Sequence, residues 1–379
     1  MAQETAASWC DAAPAGQRAE WAGRLARALI DGMTPKADRD DIEAILFQIA
    51  GDPAASVRRS LAVAVAEAPD VPKRLIKQLA RDTDSVAAPV IMGSSHLDDT
   101  DLIELVLTAR EKPLQAVLRR ATLSCAVCAA IAGLGTNALI LDLLDHPHAD
   151  IGPDTLRGIA EAFGHVAEIR GALFDRADLP ATIRQALMKT ASQAVAASPL
   201  AQLALGARQS ARVGEEACHR GTAAIVGNAP RGERARLIDD LVAADQLSPA
   251  VMLRLACSGL LEALTEALSR LSGVAPRRVR AVLVEGRRIP FVALCARAGL
   301  PDASVPILFH AVDVWRLADE RGEPLHAAEV AARVMGRMRD DLSDGETRTL
   351  EPALAFLRGL AREMASPVAP LDSAPAIAA

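Results

Sequence analysis

Hydrophobic residues recur along this chain at helical spacing, and the pattern is broken at short intervals by Pro, Gly and Asp. The stretch from Gly51 to Asp99 shows it most cleanly. Asp52 is placed to cap a helix and Pro53 to occupy its first turn, where a missing N–H costs nothing. Val57, Leu61, Ala64 and Val65 then give that helix one apolar face. Val71-Pro72 opens a second helix with Leu75, Ile76 and Leu79 on one side, and Asp82 to Asp84 make the next turn. From Ser56-Val57 to Ser85-Val86 the step is 29 residues, the size of one helical hairpin. Neither helix of such a hairpin buries its apolar face alone, so the pattern predicts hairpins stacked into an α-solenoid.

The rhythm continues in both directions. A helix over Arg18 to Ile30, with Trp21, Leu25, Ala28 and Leu29 on one face, precedes a short one over Ile42 to Ile49. Downstream, Ser95 or Asp98 caps a helix carrying Leu102, Ile103, Leu105 and Val106. Residues 138–144 form another helix, residues 145–154 a loop, and Leu156 to Val195 further helices. A proline followed by an aliphatic residue and arginine recurs: Val57-Arg58, Leu118-Arg119, Leu156-Arg157, Ile183-Arg184, Leu253-Arg254 and Val279-Arg280. The intervals are irregular, as in a degenerate repeat. Residues 1–18 read as a disordered N-terminus, 19–198 as helical repeats, and 199–232, richer in Gly and polar residues, as a joint. Residues 233–364 read as a second helical region and 365–379 as a disordered Pro- and Ala-rich tail.

Composition narrows the class. The chain is 51% hydrophobic but 2% aromatic, with no tyrosine, so its apolar content is Ala, Leu and Val and suits closely packed helices. The expected fold class is all-α. A formal net charge of −6 argues against a general nucleic-acid binder, which is normally basic. Only five lysines accompany the arginines, a skew that accounts for arginine abundance without function. Six irregularly spaced cysteines and an N-terminus without a basic, then apolar, leader point to a reduced cytoplasmic protein. Ala121 to Leu141 holds no charge and is long enough for a bilayer. Gly133, Gly135, Thr136 and Asn137 interrupt it, so two buried helices are expected and no membrane span.

Two resemblances follow from these residues. The Asp-Pro…Val-Arg…Leu-Ala run at 52–62 resembles HEAT repeats. That likeness implies that Arg58, and Arg119, Arg157 and Arg184 at matching places, bond turn aspartates such as Asp52, Asp82 and Asp84 of neighbouring units. The segment 80–106, and 247–274 with 292–301, are similar to a bacterial domain-of-unknown-function family with a HEAT-like helical fold. That resemblance covers about residues 40–310 and implies fold; it carries over no catalytic residue.

Candidate chemistry is sparse. Cys125 and Cys128 have the spacing of a metal or redox pair, with His146 and His148 downstream. The CxxC reads as lying inside an apolar helix begun well upstream, away from the helix N-terminus that lowers a thiol pKa. The histidines, spaced HxH, read as part of a Pro turn. Asp98, Asp99 and Asp101 lack the glycine loop and distal Glu of a calcium site and read as a helix cap. The richest cluster is seven arginines between Arg270 and Arg297 with one acid, Glu285. Arg277, Arg278, Arg280, Arg287 and Arg288 are the candidate partner-binding residues, set against the alternative of a merely solvated face. No P-loop, Rossmann, HExxH or Ser-His-Asp signature occurs. The expectation is a HEAT-like, non-catalytic, cofactor-free scaffold that binds another protein. The alternatives are a phosphate-gripping nucleic-acid binder, or an enzyme on a solenoid frame.

Overall fold

The chain is all-α. A computed structural model describes residues 13–30, 39–108, 110–341 and 354–363, and among these no strand forms; one isolated bridge pairs Leu123 with Ala149. The residues expected to be disordered at 1–12 and 365–379 lie outside the described ones, whereas the last residues of the expected disordered N-terminus, from Ala15 on, are helical. The chain sorts into two units, one up to Arg176 and one from Ala177 on.

In the first unit the helices are α1 (Ala15–Ile30), α2 (Arg39–Ala50), α3 (Ala55–Val65), α4 (Lys73–Ala80), α5 (Asp84–Gly93) and α6 (Asp99–Leu107). They continue with α7 (Glu111–Leu118), α8 (Cys125–Gly133), α9 (Asn137–Leu144), α10 (Pro153–Phe163) and α11 (Ala167–Asp175). Packing runs mostly to the helix two further on: α1, α3, α5 and α7 in succession, α2 with α4, α6 with α8 and then α10, and α9 with α11. The stripes read from the sequence are what is buried. Val57, Leu61 and Val65 of α3, Leu75, Ile76 and Leu79 of α4, and Val86, Val90 and Ile91 of α5 are all shielded.

Two details of the turns differ from expectation or sharpen it. Asp52 does not cap α3. The residue before the helix is Ala54, with no side-chain cap, and Asp52 Oδ1 instead accepts the Ala54 N–H at 2.8 Å. With Pro53 between Asp52 and Ala54, the helix starts two residues later than the cap reading assumed. Asp98 does cap α6, in a reciprocal capping box with Asp101. The uncharged stretch 121–141 divides into α8 and α9 across Gly135, whose φ of +69° is the left-handed region that glycine adopts freely. Among the described residues no helix is long and apolar enough to cross a membrane.

The second unit holds α12 (Ala181–Ala197), α13 (Pro199–Leu205), α14 (Ala207–Asn228), α15 (Arg231–Ala243), α16 (Pro249–Cys257), α17 (Leu261–Ser272), α18 (Pro276–Glu285), α19 (Arg288–Arg297), α20 (Val305–Arg321), α21 (Ala327–Asp341) and helical residues 354–363. The segment read as a joint, 199–232, lies inside this unit, and the unit boundary falls ahead of it. Within it Gly214 and Gly221 are packing positions. A Cβ at Gly214 would stand 2.7 Å from the Ser192 carbonyl oxygen, and one at Gly221 2.6 Å from the Met188 side chain. They let the 22-residue α14 lie close against α12. Around α16 a continuous apolar core gathers Leu237, Leu255, Leu264, Phe291, Ile307 and Val334, closed by Leu354, Leu357 and Leu360.

Candidate interaction surface

Helices α18 and α19, with the turn between them, carry six of the seven clustered arginines, and Arg270 lies on α17. Pro276 occupies the first turn of α18, where its ring fits, and Gly286 ends the helix at φ +64°. A Cβ there would sit 2.7 Å from Arg316 Nε, so glycine serves both the turn and the close approach. The apolar stripe of α18, Val279 and Leu283, and that of α19, Phe291, Leu294 and Cys295, point into the core. The outward faces therefore hold what remains: Arg277, Arg278, Arg280, Arg287 and Arg288, interleaved with Val284, Ile289 and Val292. Those three aliphatic residues are 65%, 84% and 43% exposed.

The seven arginines do not form one class. Arg270 pairs with Asp239 at 2.9 Å, and Arg297 Nε donates to the Ser272 carbonyl at 2.7 Å; both serve the fold. Arg280 reaches Glu262 at 3.7 Å and Arg287 reaches Glu285 at 3.8 Å, loose and exposed contacts. Among the described residues none pairs with Arg277, Arg278 or Arg288.

The turn arginines divide as well. Arg58 makes a two-pronged pair with Asp82 (2.6 and 2.8 Å) and donates to the Asp52 carbonyl at 2.6 Å. Asp52 in turn receives Arg18 at 2.9 Å through both carboxylate oxygens. The Arg58 hydrogen bond, helped by the Thr83 N–H and opposed by partial burial, holds the Asp82 carboxyl below its ordinary value. For Asp52, partial burial pushes upward but the bonds from Arg18 and the Ala54 N–H outweigh it, and the net shift is downward. Asp84 has only distant cations, Arg110 at 3.6 Å and Lys112 at 3.9 Å. Arg157 contacts Asp154 of its own helix at 3.5 Å, and Arg184 is half-buried in the first turn of α12. Arg119 is exposed. Its neighbour Arg120 turns inward, donating to the carbonyls of Ile91 and of Ser94 (3.0 Å), and burial pushes its guanidinium down. Within the Arg119-Arg120 doublet the periodicity alone did not say which side chain turns inward.

The CxxC pair is also placed differently from expectation. Ser124 Oγ accepts the Val127 N–H at 3.4 Å and α8 begins at Cys125, so the motif lies at a helix N-terminus and not in mid-helix. The misreading came from running the apolar stretch continuously through Leu123 and Ser124. Cys125 is exposed. Cys128 is buried, and desolvation pushes its thiol up to about 11. His146 accepts the His148 N–H at Nδ1 (3.2 Å), which leaves the proton on Nε2 to donate to the Arg120 carbonyl at 2.9 Å. Both ring nitrogens are therefore engaged in shaping the loop. Among the described residues no group of three or more His, Cys, Asp or Glu side chains is placed to hold a metal ion.

Comparison with known proteins adds a family. The family model described as "Uncharacterised protein conserved in bacteria (DUF2336)" matches residues 86–348, starting and ending later than the resemblance read from the sequence. No curated protein and no solved structure matches the chain.

Proposed function

The chain belongs to the uncharacterised bacterial family DUF2336, and on that footing we propose that it is a non-catalytic protein-binding scaffold of the bacterial cytoplasm, its helices stacked as a HEAT-like α-solenoid. The solenoid reading is supported by the alternate-helix packing of α1 to α11 and by the Arg18–Asp52 and Arg58–Asp82 pairs, which tie α1 to the turn before α3 and α3 to the turn before α5.

One observation carries the functional reading. The α18–α19 surface sets Arg277, Arg278 and Arg288, which pair with no acid among the described residues, among exposed Val284, Ile289 and Val292. Exposed aliphatic residues cost free energy in water and are recovered on association. Arginine is enriched at protein interfaces because its planar fork pairs two-pronged with carboxylates while its stem packs on apolar surface. Such a surface fits a partner segment that alternates acidic and aliphatic side chains.

The test is capture of the tagged full-length protein from its native host at physiological salt, after nuclease treatment. It is run beside the variant Arg277→Glu/Arg288→Glu. A stoichiometric protein partner retained by the wild type and lost by the variant supports the scaffold. Recovery of nucleic acid, with co-purifying proteins lost on nuclease treatment, sinks it.

A further inference from the structure

A second charged surface lies in the first unit, and no part of the scaffold reading uses it. Helices α1, α3 and α5 together form an open groove of about 1080 Å³. From α1 come Arg24 and Arg27, spaced along one stripe of that helix; from α3 come Ser56, Arg59, Ser60 and Val63. Arg58 and Arg59 are adjacent, but α3 sends them apart, Arg58 to Asp82 and Arg59 to the groove. Arg24 meets Glu20 of its own helix at 2.7 Å, both side chains largely in solvent. Arg27 and Arg59 pair with no acid among the described residues. The Arg27 guanidinium lies over Gly23, its Nη2 3.5 Å from where an added Cβ would stand, which is ordinary contact.

The chemistry of this lining is specific. The Arg27 and Arg59 guanidinium forks, without an acid among the described residues, offer parallel N–H donors matched to the oxygens of a phosphate, and serine hydroxyls on helices add single donors. The only acid in the lining, Glu20, is already occupied by Arg24. A nucleic acid is disfavoured: no aromatic residue lines the groove to stack a base, and the chain as a whole carries a net charge of −6. A compact dianion feels the local arginines more than the distant acids. The groove is open, and exposed Val63 (58%) and flanking alanines line it beside the arginines, which suits a peptide carrying that dianion. We propose that the α1–α3–α5 groove binds a phosphorylated serine or threonine side chain of a partner protein, with Arg27 and Arg59 forking the phosphate and Ser56 and Ser60 donating to it. The lining residues precede the segment matched by the family, so this site is a property of the chain ahead of the family domain.

The experiment uses the full chain and a fluorescent degenerate peptide library with a central phosphoserine, read by anisotropy at physiological salt. Its unphosphorylated counterpart, inorganic phosphate and a double-stranded oligonucleotide serve as comparison and competitors. The expected result is saturable binding of the phosphorylated library alone. Arg27→Glu or Arg59→Glu should weaken it about tenfold or more, the loss of one charge-assisted fork. Arg59→Lys should give part of that loss, and Arg119→Glu, an exposed arginine outside both surfaces, should leave binding unchanged. Both groove arginines are exposed, so unchanged thermal melts will show that the variants fold. Equal binding of the unphosphorylated library, or none of the phosphorylated one up to millimolar concentration, would overturn the proposal. Stronger competition by the oligonucleotide than by the phosphopeptide would overturn it in favour of nucleic acid. Equal competition by inorganic phosphate would overturn the peptide assignment.

Discussion

Arg58 and Arg59 are chain neighbours with opposite tasks, and the first of them sets a pH dependence. Arg58 and Asp82 are each about 15% exposed at the side chain (15% and 14%), and their pair joins the first turn of α3 to the turn before α5. The folded-state pKa of Asp82 and of Asp52 lies below the ordinary value of 3.8. Their contribution is therefore complete above 3.8 and is lost as pH falls through the lowered folded values. We expect Asp82→Asn to cost about 1–2 kcal/mol at neutral pH, since the pair is shielded but not deeply buried. The variant should also flatten the fall of melting temperature between about pH 5 and pH 2. A variant as acid-sensitive as the wild type would show that this carboxylate is not the titrating group. The cysteines give a second residue-scale test. Cys125 is exposed, while Cys128, Cys257 and Cys295 are buried and pushed up to about 11, 12 and 12. Brief alkylation of the native protein, read by mass spectrometry, should modify Cys125 well ahead of those three; equal labelling would contradict their burial. At this scale the sequence was readable where one residue type had one place to go. Val57 and Leu61 had only the core, and the HEAT-like signature named Arg58 as the arginine that bonds Asp82; in the doublet Arg119-Arg120 a helix turns successive side chains by about 100°, and only the fold decides that Arg120 is the one that turns inward.

Among the elements, helical residues 354–363 illustrate how a buried charge binds one segment to another. Leu354, Leu357 and Leu360 recur every third residue and are buried, and Gly359 passes 3.9 Å from Glu216 Oε1 of α14, measured from an added Cβ. Glu363 on the same stripe accepts from Arg254 Nη1 at 2.9 Å and lies 2.6 Å from Arg220 Nε. Arg254, on α16, is 3% exposed, with the Phe356 ring 5.5 Å from its guanidinium carbon. Removing the charge of Glu363 leaves a buried guanidinium without its closest counterion. We expect Glu363→Gln to destabilise the second unit by about 3 kcal/mol or more. Hydrogen exchange should quicken first in 354–363. Arg254→Met added to it should recover part of the loss, because the stranded charge is then gone. A double variant worse than the single one would mean that Arg254 holds more than this helix. Element identity was legible over most of the chain, from periodicity and from Pro and Gly punctuation, but not across 199–232. What misled was glycine in α14: Gly214 and Gly221 mark close helix contact, and a single sequence shows a glycine without showing whether it breaks a helix or lets another one approach.

For the whole molecule, the contrast is between an acidic total and basic local surfaces. The chain holds 48 Asp and Glu against 42 Lys and Arg, and many of the arginines are spent on carbonyls and carboxylates inside the fold, as Arg18, Arg58, Arg120 and Arg254 are. Composition thus exposed the acidic balance but not which arginines stay available, since that depends on side-chain partners two helices away. The net field repels an extended polyanion, while Arg277, Arg278 and Arg288 attract a compact acidic patch over about one Debye length, ~8 Å at physiological salt. We therefore expect a double-stranded oligonucleotide to show no measurable binding at physiological salt. At low salt its binding should fall with a slope no steeper than about −4.5 in log–log terms, the limit if all five of Arg277, Arg278, Arg280, Arg287 and Arg288 met phosphates. Anisotropy across a salt series reads both. Tight binding at physiological salt with a steeper slope would require a continuous basic face that engages more phosphates than these five arginines offer, and the protein-binding reading of the α18–α19 surface would then give way to the phosphate-gripping one.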